Sequence, residues 1–269
     1  MHSLSKILSF PLIILAILIY FWGSKDSLSV WFALPVLLLV VLYVFQGPID
    51  YWGMMHFPPK FDSKILEWLN GNFPPFAALS NDSQEIFKKR LMIYMDSRLF
   101  QTVGAEMGEV PADIKAMVAA HGIMMGFYKD DILIGDFDRI YLYKHPFPTP
   151  DKPYLHTVET NTEDGVLIFS LEQAINCVVR PDMFYNILYH GYALAFIYLY
   201  NDKFSADFEN YTQEILAATG FTKEIICTQL GESEIDHKAL HIAFYFSHHD
   251  VYSSTLPELS KFLDGIFKN

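Results

Sequence analysis

Residues 185–194 read Tyr-Asn-Ile-Leu-Tyr-His-Gly-Tyr-Ala-Leu, and this segment carries the strongest indication of fold and function in the chain. On a catalytic zinc helix, the pattern His-Glu-x-x-His places two imidazoles one turn apart and a glutamate that activates water. Here His190 occupies the first ligand position, but Gly191 stands at the glutamate position and Leu194 at the second histidine position. One histidine does not hold a catalytic zinc, and no carboxylate follows it to accept a proton from water.

Five segments before this helix occur in the order and at the spacing of a known family. They are Phe73-Pro-Pro-Phe-Ala-Ala-Leu-Ser, Phe87 through Phe100, Pro111-Ala-Asp-Ile-Lys-Ala-Met-Val-Ala-Ala-His-Gly, Ile140-Tyr-Leu-Tyr-Lys-His-Pro-Phe and Gly165-Val-Leu-Ile-Phe-Ser-Leu-Glu-Gln-Ala. Together they resemble the MtfA family (Mlc titration factor A), bacterial zincin-like metallopeptidases. The resemblance covers about residues 73–267 and implies a zincin-like α+β domain, mostly helical, with a small β-sheet.

The chain departs from this family at the residues that carry the chemistry. The family's third zinc ligand is a glutamate on a later helix, and the best match here is Asp236-His-Lys-Ala-Leu-His-Ile-Ala-Phe-Tyr-Phe, with Ala243 at the ligand position. Two ligands and the general base are therefore missing while the apolar residues around them persist. The resemblance implies an inactive homologue with no catalytic residue and no metal cofactor, which acts as a protein-binding or regulatory module.

An active zinc peptidase with a rearranged metal site is the alternative. Such a site would combine His190 with donors such as Asp236 or Glu234, and zinc would then be the cofactor. His237 and His241 are four residues apart and share one face of a helix, but they project away from the direction of Ala243.

Two apolar runs near the N-terminus predict a membrane anchor. Residues 4–22 and 28–45 are almost entirely apolar, and each run is long enough to cross a hydrocarbon core of about 30 Å. No small-x-small cleavage site follows the first run, which disfavours a signal peptide. We therefore predict a transmembrane hairpin over residues 1–46, a linker over 47–62 and the zincin-like domain over 63–269.

The charged residues beside the two runs indicate the orientation of the hairpin. Lys6 lies at the start of the first run, and Lys60 and Lys64 follow the second, whereas Lys25 in the turn is offset by Asp26. The positive-inside rule therefore predicts a two-span protein of the cytoplasmic (inner) membrane whose second domain faces the cytoplasm. The predicted partners are the lipid bilayer and a protein that the sequence does not identify.

The formal net charge of −12 argues against nucleic acid as a partner, because a strongly acidic surface repels phosphate groups. Cys177 and Cys227 are the two cysteines, and both are predicted to be reduced thiols.

The local patterns predict several elements of the second domain. Alternation and β-branched content indicate short strands at 140–143, 155–158 and 166–169, separated by a proline-containing loop. The helix that carries His190 is expected from Pro181 to about Tyr200, and a last helix from Pro257 to Phe267.

Overall fold

The computed structural model describes residues 4–22, 28–57, 60–104, 108–129 and 134–268, apart from the side chains of residues 28–30 and 54–55. Its contacts divide the chain into two units, residues 1–61 and 62–269. Each unit is described by itself.

The first unit contains three helices, α1 (Leu4–Trp22), α2 (Leu28–Val44) and α3 (Gln46–His56). Helix α1 is long and apolar enough to cross a membrane. Helix α2 has 17 residues and meets the same criterion only together with α3, from which it is bent by 73°. Helices α1 and α2 coincide with the two predicted runs and pack against each other, while the turn at 23–27 lies outside the described residues.

Most of the predicted linker over 47–62 forms helix α3. The reason for the break before α3 is Pro48, which has no backbone N–H to donate to Val44, four residues earlier. Helix α2 ends at Val44, and the chain resumes as a helix in a new direction. Proline is tolerated in the first turn of α3 because an N–H there has no partner within the helix.

The second unit is an α+β domain, as the sequence predicted. Its strands are β1 (Leu99–Val103), β2 (Arg139–Tyr143), β3 (Val158–Asn161) and β4 (Val166–Ser170). Its helices are α4 (Ser63–Asn72), α5 (Pro74–Ala77), α6 (Asn81–Ser97), α7 (Ala112–Met125), α8 (Leu171–Val179), α9 (Ile187–Leu199), α10 (Thr212–Thr219), α11 (Lys223–Leu230), α12 (His237–Ser247), α13 (His249–Thr255) and α14 (Pro257–Phe267).

The four strands form one mixed sheet in the order β1-β2-β4-β3. Strand β2 pairs in parallel with β1 on one side and with β4 on the other, and β3 is antiparallel to β4. All five residues of β4 are buried, as expected for a central strand covered on both faces.

Several predicted boundaries were wrong by a few residues. The strand expected at 155–158 lies at Val158–Asn161, and His156 instead makes an isolated bridge with Phe147. The helix that carries His190 begins at Ile187 because the Asn186 side chain caps it, accepting a hydrogen bond from the Tyr189 amide at 2.9 Å.

Helix α9 lies at the centre of the second unit and packs against α7, α8, α12, β3 and β4. Residues 187–193 are all buried, so the first two turns have no polar face. Gly191 faces the sheet, where a Cβ atom would lie 2.6 Å from Phe169 Cε1 and 2.9 Å from Val158 Cγ2. The missing side chain is what allows α9 to approach the sheet so closely.

Replacing Gly191 with alanine therefore tests this packing. We expect Gly191→Ala to lower the free energy of unfolding by about 1–3 kcal/mol, because the methyl group overpacks a filled interface. Urea unfolding of the full chain in mild detergent, followed by intrinsic fluorescence, measures the change. The matched control is Gly265→Ala in α14, where no atom lies within 4 Å of the added Cβ. This control should be neutral or stabilising by up to about 1 kcal/mol. Equal effects of the two substitutions would contradict the packing.

Candidate functional site

His190 lies in the first turn of α9 and is almost completely buried. Its Nδ1 atom is 2.8 Å from the hydroxyl of Tyr185, five residues earlier in the chain. Burial lowers the pKa of His190 to about 4, against a smaller opposing effect of Asp236. The ring is therefore neutral at pH 7 and is held by a tyrosine rather than by a carboxylate.

Gly191, which aligns with the glutamate of the zinc pattern, makes contacts between helix and sheet. Besides the short approach to Phe169, the Gly191 carbonyl accepts a hydrogen bond from Thr160 Oγ1 at 3.0 Å, which ties α9 to β3. A glutamate side chain does not fit at this position unless Phe169 or the helix moves.

The other two positions that align with zinc ligands carry hydrocarbon side chains. Leu194 is half-buried on α9, and Ala243 is completely buried on α12. Helices α9 and α12 pack against each other, and the rings of Tyr189 and Phe246 stack between them with centroids 5.3 Å apart. Within the described part of the chain, no group of three or more His, Cys, Asp or Glu side chains is placed to hold a metal ion.

The two histidines on α12 form hydrogen bonds with hydroxyl groups of other helices. His237 Nδ1 and His241 Nε2 lie 2.7 and 3.4 Å from the same hydroxyl oxygen, that of Thr212. His241 Nδ1 is 2.9 Å from the Tyr252 hydroxyl, and burial lowers the pKa of His241 to about 4. This arrangement is a buried hydrogen-bond network that joins α10, α12 and α13.

Of the donors considered for a rearranged metal site, Asp236 caps α12 and accepts a hydrogen bond from the Ala239 amide at 2.8 Å. The neighbouring Glu232 forms an ion pair with Lys152 and accepts a hydrogen bond from Tyr154 at 2.7 Å. The negative charges of Asp236 and Glu232 oppose the effect of burial on the pKa of His190. Glu234, the other donor considered, is exposed.

A cavity of about 810 Å³ opens beside α9, on the face that carries Asn186 and Tyr189 rather than His190. Residues from α4, α5, α7, α8, α12, α13 and α14 complete its wall. Most of the lining is aromatic or aliphatic; representative residues are Phe73, Leu79, Met124, Val178, Tyr189 and Phe246. This cavity could not be predicted from local patterns, because its walls come from segments far apart in the chain.

The buried polar residues of the cavity are uncharged at pH 7. His121 Nδ1 donates to the Met117 carbonyl at 2.8 Å, and Asn186 Nδ2 lies 3.4 Å from His121 Nε2. Burial lowers the pKa of His121 to about 4 and raises the pKa of the Cys177 thiol to about 12. Asp250 and Lys268 bring charge to the lining, but both are exposed. The cavity thus has a neutral interior and a charged rim.

Comparison with protein-family models, with curated proteins and with solved structures gives no match to this chain. The relation to the MtfA family therefore remains a hypothesis drawn from the sequence.

The buried histidines predict how stability depends on pH. The pKa of His121 is lowered to about 4 in the fold, against about 6.5 for an unfolded chain, so unfolding takes up a proton between these values. The contribution of neutral His121 to the free energy of unfolding is fully present above pH 6.5. This contribution is lost as the pH falls towards 4. The loss is of the order of 3 kcal/mol by linkage.

We expect His121→Asn to reduce the fall in unfolding free energy between pH 7 and pH 4, relative to the unsubstituted chain. His145→Gln is the matched control, because His145 is exposed. Urea unfolding at several pH values measures the slopes. An identical pH slope in His121→Asn and the unsubstituted chain would contradict the account of His121.

Proposed function

We propose that this chain is a membrane-anchored binding protein without metal-dependent catalysis. In this proposal the second unit is related to the MtfA-like zincins, but α9 serves as a structural helix and the cavity beside it receives apolar side chains of a protein partner. The observation that carries the proposal is the cavity itself, which adjoins a helix whose former catalytic positions are occupied by packing contacts.

The size and chemistry of the cavity support a binding role. Ligand sites in proteins usually enclose about 300–1,000 Å³, with mostly apolar walls and a few polar groups that orient the ligand. The volume of about 810 Å³ lies within this range, and His121 and Asn186 supply neutral polar atoms. Protein–protein interfaces also have a mostly apolar core and a polar rim, and here two exposed charged residues, Asp250 and Lys268, belong to the lining. We therefore favour an apolar segment of a protein as the occupant.

The packing around His190 argues against hydrolysis. A zinc peptidase needs an open coordination position and a carboxylate beside it. Gly191 contacts the sheet, Ala243 is buried, and His190 is hydrogen-bonded to Tyr185. A rearranged zinc site that combines His190 with Asp236 or Glu234 remains the second candidate, because the charge of Asp236 opposes the lowering of the His190 pKa.

Membrane attachment is the other half of the proposal. Helix α1 exposes many large apolar side chains, among them Ile7, Phe10 and Ile17, and α2 does the same. Burial of each such side chain in hydrocarbon contributes about 1.5–3 kcal/mol. We propose that α1 and α2 form a two-span anchor in the cytoplasmic membrane and that the second unit faces the cytoplasm, because Lys6 lies in the first turn of α1 and Lys60 and Lys64 follow α3.

The metal content of the purified chain separates the two candidate functions. We expect the full-length protein in detergent to contain far less than one equivalent of zinc by elemental analysis, before and after dialysis against zinc. His190→Ala serves as the control and should leave this value unchanged. One tightly held equivalent that disappears in His190→Ala would support the rearranged peptidase instead.

Filling the cavity tests the binding role. Met124 lies on its wall and is half-buried, so Met124→Trp should occupy much of the space. A photo-crosslinking residue at Val179, which is exposed at the rim, should yield a discrete protein adduct in cells. We expect Met124→Trp to reduce the yield about ten-fold, which corresponds to a loss of about 1.4 kcal/mol in binding.

The matched controls for this experiment lie away from the cavity. Ile225→Trp adds the same ring to the exposed surface of α11 and should leave the adduct unchanged. A crosslinker at Ile86, exposed on α6, should not give it. An adduct that forms equally from Ile86, or that survives Met124→Trp, would argue against binding in the cavity.

A further inference from the structure

Helix α3 follows α2 after a single residue, yet its axis is bent from α2 by 73°. The backbone remains hydrogen-bonded through the bend, since the Phe45 amide donates to Val41 and the Ile49 amide donates to Phe45. The bend is therefore a built feature of the first unit, and Pro48 is its cause.

Two contacts hold α3 against the beginning of α1. The Ser5 backbone amide donates to Asp50 Oδ1 at 2.7 Å, and the Ser5 hydroxyl donates to Asp50 Oδ2 at 3.1 Å. A carboxylate is well suited to this place, because the first amides of a helix lack partners within it and carry partial positive charge. One turn later, Gly53 lies so close to α1 that a Cβ atom there would be 2.9 Å from Leu4 Cβ.

These contacts place three features at one level of the first unit, namely the start of α1, the end of α2 and residues 50–53 of α3. Helix α1 has 19 residues and is about 28 Å long at 1.5 Å per residue, close to the roughly 30 Å of a hydrocarbon core. If α1 spans that core, its first turn lies at the boundary with the headgroups. Asp50 and α3 then lie at the same boundary.

The surface of α3 has the composition of an interfacial segment. Tyr51 and Trp52 are exposed, and the Trp52 ring stacks on His56 with centroids 4.3 Å apart. Phe57, just after the helix, is exposed and packs edge-on against Trp52. Tyrosine and tryptophan favour the membrane–water interface, whereas Gln46, Asp50 and His56 disfavour the hydrocarbon.

We propose that α3 lies in the headgroup layer of the bilayer, with Tyr51 and Trp52 as its anchors. A helix bent by 73° from a spanning helix runs nearly parallel to the membrane surface. The occupant of this aromatic surface is the phospholipid headgroup region. The inference rests on the membrane attachment in the proposed function and adds a third membrane-bound element to it.

The depth of Trp52 tests the proposal. The full-length variant Trp22→Phe, Trp31→Phe, Trp68→Phe keeps Trp52 as its single tryptophan and is placed in phosphatidylcholine vesicles that contain brominated lipid. We expect bromine near the headgroup to quench Trp52 about two-fold more strongly than bromine near the chain end, because the indole ring resides at the interface. A variant that keeps only Trp68, on α4 of the second unit, reports the signal of a residue outside the anchor.

Stronger quenching from the chain end would overturn the proposal and make α3 part of a broken span. Absence of quenching in a protein that resists carbonate extraction would overturn it too, since α3 would then lie in water while the anchor holds. Release of the protein by carbonate would instead refute the anchor of the proposed function, and the inference with it.

The same quenching experiment, carried out on Asp50 variants, tests the contact between Asp50 and Ser5. Asp50→Ala removes both acceptors, so the preference of Trp52 for headgroup bromine should decrease towards equal quenching at the two depths. Asp50→Asn keeps one oxygen acceptor and should retain most of the preference. A preference in Asp50→Ala as large as in the chain with Asp50 intact would show that this contact does not hold α3 in place.

Discussion

The close contact of α9 with the sheet at Gly191 is the constraint on which the second unit depends. Because residue 191 has no side chain, Phe169 of β4 and Val158 of β3 pack directly against the helix backbone. Thr160 adds a hydrogen bond to the Gly191 carbonyl. The position of α9 then determines where α7 and α12 can lie, since both pack against it.

The same contact connects packing with function. The residue that follows the first ligand position of a zinc helix must carry a carboxylate for catalysis, yet here it must be a glycine for the helix to reach the sheet. One position does not satisfy both requirements. Helix α9 also shapes the cavity, because Asn186 and Tyr189 form part of the cavity wall on another of its faces. A binding role for this unit needs neither a metal ligand nor a catalytic carboxylate at positions 191, 194 or 243.

Local patterns were sufficient for the elements that depend on local physics. The apolar runs that became α1 and α2, the strands near 140 and 166, and the helix that begins at Pro257 all follow from composition, alternation or capping. Strand β1 was missed, because Leu99–Val103 directly follows α6 and forms a strand by pairing with β2, about forty residues later. The cavity could not be predicted either, since Phe73, His121, Tyr189 and Phe246 meet only in the folded chain. We predicted a linker over most of α3 because Gly47-Pro48 and Pro58-Pro59 suggested a loop.

The central claim is that α9 is a structural helix, buried on its sheet, helix and cavity faces. Amide hydrogen exchange of the full-length protein in detergent, read by mass spectrometry, tests it most directly. The account predicts that peptides from Ile187–Leu199 are among the slowest to exchange in the second unit, because their opening requires the sheet and α12 to separate. Peptides from α11, in which Ile226 and Leu230 are the buried residues, should exchange much faster. Exchange of α9 as fast as that of α11 would contradict the account.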